Sequence, residues 1–490
     1  MGEIWQGLST ERRPDRLEAL AAEARRDLMR VNFPAARWTP EVAGPDGQPV
    51  LDALVVGAGL CGQTAAFAMM RDGIHHIRVV DRAGRGLEGP WATFARMEIL
   101  RSPKHLTGPD LGIPSLTFRA WFEAQHGSEG WQKLHKVGRL DWRDYLLWVR
   151  DTVGIAVENG TSVLALQPRS NFVEVQLSKD GAGGTIFARK VVLATGRDGA
   201  GGARRLPFPG LGADANGGGR VLHAEEGIDG AQLAGKRVAI LGGAATAFDC
   251  AATALEAGAE SVAMFVRRPH LPQINKAKWM SFPAFMKGFS ALDDATRWRF
   301  YKYFLHEQVP PPPHESVLRC DRHRNFSIRF GEAWRDVIPR GDGLVIRTSK
   351  VEESFDVAVL ATGFDVDIRM RQELASVCDN ILLWGDKVGP EEAARYPDAA
   401  RFPYLGPGFE LVEREPGQTP GLGRIHLFNW GNAVSHGALA GDIPGLLTGV
   451  NRLAEALCRD LLAADIARHW QAIQAYDDRE LAPTRRFVER

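Results

Sequence analysis

The chain has 490 residues, 44% hydrophobic and 24% charged, and its 60 basic side chains are balanced by 60 acidic ones. At about 150 residues per domain this length supports two or three separately cored units, and zero formal charge gives no field to recruit a nucleic acid or an anionic membrane. No window reaches the roughly 18 apolar residues of a membrane span, Met1–Arg30 lacks the apolar run of a secretory signal, and Cys61, Cys250, Cys320, Cys378 and Cys458 form no CxxC pair, which points to a cytoplasmic chain without a redox disulfide or metal site.

Leu17, Leu20, Ala21, Ala24 and Leu28 share one helical face, so residues 10–30 are expected to form an amphipathic helix. A Pro/Gly-rich stretch leads into a strand at Leu51–Val56, a small-residue helix at Gln63–Arg71 and a second strand at Ile77–Asp81, the βαβ opening of a doubly wound sheet. Trp142–Arg150 reads as a helix. Alternating runs at Ser162–Leu166, Phe172–Leu177 and Thr185–Ala188 suggest a small meander, ending in the apolar strand Lys190–Ala194. A second βαβ unit follows: strand Arg237–Leu241, helix Thr246–Ala257, strand Ser261–Val266. Residues 270–332, rich in aromatics and holding the Pro310–Pro313 run, read as a mostly helical insertion. Strands return at Gly343–Thr348 and Phe355–Ala361, and a last helix begins near Pro444.

The fold class is therefore α/β, with two Rossmann-like dinucleotide-binding domains, the second inserted in the first, and a helical insertion. The expected division is an N-terminal extension at 1–50, a first domain from 51–220 and 346–490, and a second at 221–345.

Three motifs carry chemistry. Gly57-x-Gly59-x-x-Gly62 sits between strand and helix: Gly57 permits the tight turn, Gly59 lets a pyrophosphate approach the backbone, and Gly62 lets the helix pack on the strand. The helix N-terminus offers amides to the anion, and Asp81, with Arg82 beside it, ends the next strand where a ribose would be held. The second loop, Gly242-Gly243-Ala244-Ala245-Thr246-Ala247, has alanine at the position of closest pyrophosphate approach. Arg267-Arg268, at the end of its next strand, suit a 2′-phosphate and favour NADPH over NADH. Third, two strands end in Ala194-Thr195-Gly196 and Ala361-Thr362-Gly363, at the two passages between the sheets.

With these motifs the chain resembles, from about Leu51 to Leu462, the two-dinucleotide-binding-domain flavoproteins. Within them it is similar to the class B flavin monooxygenases, which include flavin-containing, Baeyer–Villiger and N-hydroxylating enzymes. Gly89-Pro90-Trp91 stands where Baeyer–Villiger enzymes have a turn beside the flavin. Leu100-Arg101-Ser102-Pro103 and Trp142-Arg143-Asp144-Tyr145-Leu146 look like stretches of the N-hydroxylases. Of the class B fingerprint FxGxxxHxxx(F/Y/W), Gly219 and His223 remain, but Gly217 and Gly227 replace its aromatics.

The resemblance implies FAD on the first loop, with Trp91, Thr195, Gly196, Gly363 and Asp442 around it. It implies NADPH on Gly242, Gly243, Thr246, Arg267 and Arg268, and oxygenation of a small organic substrate by O₂ through a C4a-(hydro)peroxyflavin. Arg101 and Lys104 are the candidate cations for the reacting oxygen. The aromatic insertion is expected to cover the substrate. The alternative is a flavin oxidase or dehydrogenase with a degenerate NADPH site. Nucleic-acid and membrane partners are not expected; a homo-oligomer is compatible with the sequence.

Overall fold

The computed structural model describes residues 14–106 and 108–486. The expected helix appears as α1, Pro14–Arg30, which buries Ala21, Ala24 and Leu28; its expected start at residues 10–13 lies outside the described residues, as does part of the leader reading. The first sheet opens with β1 (Val50–Val56), α2 (Leu60–Arg71) and β2 (Ile77–Asp81). Strand β1 is almost wholly buried and apolar apart from Asp52, which accepts from the Thr39 hydroxyl at 2.6 Å, as suits a central parallel strand.

Next come α3 (Phe118–Lys133) and α4 (Arg139–Val153), then β3 (Glu158–Asn159), β4 (Thr161–Pro168), β5 (Val173–Lys179) and β6 (Ala182–Leu193). The meander is not a separate layer. Its third run and the following apolar strand are one long β6, antiparallel to β5 at its start and parallel to β1 at its end. The strand order is β3-β2-β1-β6-β5-β4. Helices α2, α3 and α4 pack on one face around Phe67, Phe118, Trp142 and Tyr145, and each such buried side chain contributes about 1.5–3 kcal/mol.

After β7 (Gly201–Ala203) the chain enters a second, five-stranded parallel sheet. Its elements are β8 (Val221–His223), β9 (Arg237–Leu241), α5 (Ala245–Glu256), β10 (Ser261–Val266), α6 (Pro283–Gly288), α7 (Asp294–Lys302), α8 (His314–Asp321) and β11 (Phe326–Phe330). A small antiparallel sheet, β12 (Trp334–Arg340), β13 (Gly343–Thr348) and β14 (Glu352–Phe355), covers one face, and β15 (Val357–Leu360) completes the order β11-β10-β9-β15-β8.

Two expected boundaries shift. The insertion does not reach residue 332, because α8 packs on α5 and Phe326–Phe330 pairs with β10 as an edge strand. The return to the first unit lies beyond Leu360 rather than at 346, because β15 sits between β9 and β8.

The two passages between the units run side by side. β16 (Phe364–Val366) pairs antiparallel with β7, so each Ala-Thr-Gly leads into the same two-stranded ribbon. The short helices α9 (Trp384–Val388), α10 (Pro390–Arg395) and α11 (Pro397–Ala400) then cover the first unit. β17 (Ile425–His426) adds to β6, and α12 (Ala433–His436) precedes the 30-residue α13 (Leu446–Ala475). No described helix is long and apolar enough to cross a membrane.

Candidate active site

The three glycines of the first loop each meet a distinct constraint. Gly57 has φ +98°, and a Cβ there would stand 2.6 Å from the Ala194 carbonyl oxygen, so the first Ala-Thr-Gly passes directly over the turn. A Cβ on Gly62 would stand 1.7 Å from the Gly57 oxygen. At Gly59 the space is open, with nothing nearer than the Gly89 backbone at 3.8 Å. No side chain caps α2, so an open face and an uncapped helix N-terminus meet where a pyrophosphate would lie. These residues fit a dinucleotide.

Asp81 serves the loop itself. It is buried; Oδ2 accepts from the Ala58 amide at 2.7 Å and Oδ1 from the Ala83 amide at 2.8 Å. Burial raises its carboxyl above the usual range, against the pull of those two amides. Asp81 therefore braces the loop from behind. Arg82 is exposed and reaches Asp198, just past the Ala-Thr-Gly exit, at 2.8 Å.

Gly196 holds φ +74° and Gly363 φ +81° at the two exits. The Thr195 hydroxyl accepts from Asn429 Nδ2 at 3.0 Å, and the same nitrogen donates to the Gly199 carbonyl at 3.2 Å. The Gly441 amide lies 3.3 Å from Cys61 Sγ in the first turn of α2, bringing Gly441-Asp442 to the glycine loop. Asp442 pairs with Arg197 at 3.4 Å, and Arg197 lies 4.0 Å over the Trp430 ring. Trp91 is half-buried and meets Trp142 edge-on at 6.4 Å. Sequence reasoning missed Asn429, Arg197 and Trp430, since none belongs to a spaced motif.

The second loop repeats the first. Gly242 has φ +144°, and its Cβ would stand 2.6 Å from the Ala361 oxygen. Ala244 is extended at φ −104° and exposed, so its methyl strains nothing and meets solvent. Thr246 is exposed in the first turn of α5, which has no side-chain cap, and a Cβ on Gly243 would meet the Val266 side chain at 2.7 Å. Arg267 is exposed and Arg268 half-buried; neither guanidinium has an ion-pair partner among the described residues. Burial and then the Arg267 charge push Arg268 below its ordinary pKa, a strain that a bound anion would relieve.

The two candidate cations part company. Lys104 donates to the Trp131 and Leu134 carbonyls at 2.6 Å each and to Gln132 at 3.3 Å. It caps the C-terminus of α3, where orphan carbonyls and the helix dipole both favour a cation, and is not available to a bound flavin. Arg101 keeps about half its side-chain surface open to water, yet burial and the Arg197 charge lower its pKa while Asp249 and Asp442 pull it back up. Its partner Asp249, on α5, lies 3.8 Å away and is buried. Asp249 also accepts from Ser316 Oγ at 2.6 Å, and burial raises its carboxyl above the usual range. The first unit is further tied to the second by Arg96, which donates to the Ala224 and Glu226 carbonyls.

His223 is buried at the end of β8, with Nδ1 accepting from the Glu225 amide at 3.2 Å. His436 is buried against Gly406 and Arg452, and burial pushes it down to about 3. His105 is exposed. The insertion docks onto the first unit: Phe289, Trp298 and Tyr301 pack with Trp384 and Val434, and Arg297 donates to the Ser435 carbonyl at 2.9 Å. All five cysteines are free, and the described residues contain no cluster of metal-ligating side chains.

Residues 51–281 match the pyridine nucleotide-disulphide oxidoreductase family. The chain is 38% identical over 456 residues to the FAD-dependent urate hydroxylase of Xanthomonas campestris pv. campestris, covering 93% of this chain and 95% of that protein. Among solved structures it is similar to the ornithine hydroxylase of Pseudomonas aeruginosa (TM-score 0.65, 17% identity, 84% of this chain and 100% of that one). It is also similar to the ornithine N-hydroxylase of Kutzneria sp. 744, solved with reduced FAD, NADP⁺ and L-ornithine (TM-score 0.63, 16% identity, 84% and 100%). At these identities the structural likeness is one of fold.

Proposed function

We propose that this chain, which belongs to the class B flavoprotein monooxygenases, hydroxylates urate or a closely similar planar purine anion, using FAD, NADPH and O₂. The observation that carries the substrate is the 38% identity to a urate hydroxylase over 95% of its length. Arg101 and Arg197 are the guanidinium groups on this side of the flavin loop, each already facing a carboxylate, Asp249 at 3.8 Å and Asp442 at 3.4 Å, that an anionic substrate would have to compete with.

In this reading FAD lies on Gly57, Gly59 and Gly62, with Asp442 and Trp91 beside it. NADPH lies on Gly242, Gly243 and Thr246, its 2′-phosphate on Arg267 and Arg268. The NADPH unit, residues 221–360, is inserted in the FAD unit. When bound, FAD takes hydride from NADPH and activates O₂. The protein's part is to orient the two dinucleotides, exclude water and aim the Arg101 charge at the oxygen that becomes negative. The insertion, packed around Phe289 and Tyr301, closes the substrate side.

Purified flavin-loaded protein is mixed with NADPH under nitrogen, then with air and urate. The flavin band is expected to bleach, and urate to accelerate NADPH oxidation and oxygen uptake while it is consumed. A flavin that stays oxidised with both NADPH and NADH overturns the monooxygenase reading and leaves the oxidase. Bleaching without acceleration by urate overturns the substrate alone. Arg101→Met should lower kcat by about 10²-fold with FAD content unchanged, whereas Lys104→Met should lower Tm and leave kcat within about twofold.

A further inference from the structure

Helix α13 leaves the body of the protein before it ends. Its core contacts run from Leu446 to Leu461, with Asp465 the last buried residue, and every described residue from Trp470 to Arg486 is exposed. The helix is still held at Arg468, which donates to the Glu41 carbonyl at 3.1 Å, and at His469, which meets Trp38; the turns beyond stand in water, where so short a helix is marginal. The outer face of this end carries an apolar stripe: Leu462 is 45% exposed, Ile466 58%, Trp470 63% and Ile473 66%. The spacing of four, four and three keeps them on one face, as in the seam of a helix pair.

We propose that two copies of this chain associate by pairing these turns antiparallel about a twofold axis near Arg468. The charges that bound the stripe select this arrangement. Arg459 lies three residues before Leu462, on the same face and 60% exposed, leaning on Asp460 at 3.1 Å. Asp477 and Asp478 follow four and five residues after Ile473, just beyond the helix end and exposed. Antiparallel pairing sets Leu462 against Ile473 of the second copy, Ile466 against Trp470, and Arg459 against Asp477. A parallel pair would set Arg459 against itself and the acidic end against itself. The contact is isologous and closes at two copies, which favours a second copy over an unrelated partner.

Sedimentation velocity of the full-length, flavin-loaded protein from micromolar to submillimolar concentration tests the pairing. A species of twice the chain mass is expected, and Ile466→Glu with Trp470→Glu should convert it to monomer at unchanged flavin-to-protein ratio. Arg459→Asp should weaken the dimer at least tenfold, and adding Asp477→Arg should restore it. A wild-type monomer at every concentration overturns the proposal, as does a dimer indifferent to Trp470→Glu. A charge-reversed pair no tighter than Arg459→Asp alone overturns the antiparallel order.

Discussion

The two glycine loops occupy equivalent places in their sheets and differ in how tightly they are drawn. In each, the amide of the first glycine bonds the neighbouring strand, Gly57 to Val80 at 2.8 Å and Gly242 to Phe265 at 3.1 Å. Each of these glycines leaves 2.6 Å between a would-be Cβ and an Ala-Thr-Gly carbonyl. At the third position the loops diverge. Gly62 has no room for a methyl, while Ala247 carries one, 3.2 Å from where a Cβ on Gly242 would stand. The second loop opens its turn, from φ +98° to +144°, beside that methyl, and it keeps another, Ala244, exposed. A tight loop braced by Asp81 suits a group that stays, and a looser one with two unpaired arginines suits a cosubstrate that binds and leaves.

The sharpest way to break this contrast is Gly62→Ala. Its methyl would collide with the backbone at Gly57, which cannot yield cheaply, so loss of FAD and about 3 kcal/mol of stability are expected. Flavin-to-protein absorbance and Tm report both. Ala247→Gly, the reverse change in the other loop, should cost only about 1 kcal/mol of helix propensity and keep the flavin. If Gly62→Ala retains FAD, the difference between the loops has no bearing on which dinucleotide is resident.

Next in size is the arginine pair. Arg267→Ala with Arg268→Ala should raise KM for NADPH about 10- to 100-fold, the range of one or two charge-assisted hydrogen bonds, while KM for NADH hardly moves and FAD stays bound. Smaller still, Ala244→Gly should lower KM for NADPH about fivefold, the worth of roughly 1 kcal/mol, with no change in flavin content. A rise instead would mean that the methyl touches the cosubstrate favourably.

The smallest effect concerns how the two units are tied. Glu315, in the first turn of α8, bonds Lys136 and His135 of the first unit at 2.6 and 3.0 Å. Partial burial would raise its carboxyl, but the Lys136 bond, its own amide and His135 outweigh this and hold it at about 2, below the usual 4.5. A lowered carboxyl stabilises the fold above its unfolded pKa and loses that contribution as pH falls toward 2. Glu315→Gln should therefore cost about 1 kcal/mol at neutral pH after solvent screening, and progressively less as pH falls below 4.5 toward about 2, as read by denaturant melts across that range.

Local pattern carried much of this architecture. β2, β9 and β10 have the bounds their apolar runs imply, and both Ala-Thr-Gly exits fall where the units join, because strand ends and tight turns are set by neighbouring residues. Non-local matters were not legible. Arg101 and Lys104 share one turn of sequence, but Lys104 is claimed by the end of α3 some thirty residues on, a helix that sequence reading did not expect. That Asp81 ends its strand is plain in the sequence, but its bonds to the Ala58 and Ala83 amides are not, because they depend on how the loop folds back over it. Asp249 had a usable signal, a lone carboxylate in the small-residue run Ala245–Ala254, where burial obliges a partner. Phe326–Phe330 was absorbed into the insertion because a short edge strand has no apolar run to announce it.

The cleft's positive charge has a further consequence. Beside the flavin loop it rests on Arg101 and Arg197, and at the second loop on Arg267 and Arg268, since Lys104 is occupied elsewhere and burial holds His436 down to about 3. Guanidinium groups do not titrate in proteins. The positive side of the site is thus a constant, like the fixed charge on a capacitor plate. A bend in the pH–rate profile would therefore report a proton on the substrate or on a carboxylate beside the arginines, such as Asp249 at 3.8 Å from Arg101, rather than on the cations themselves.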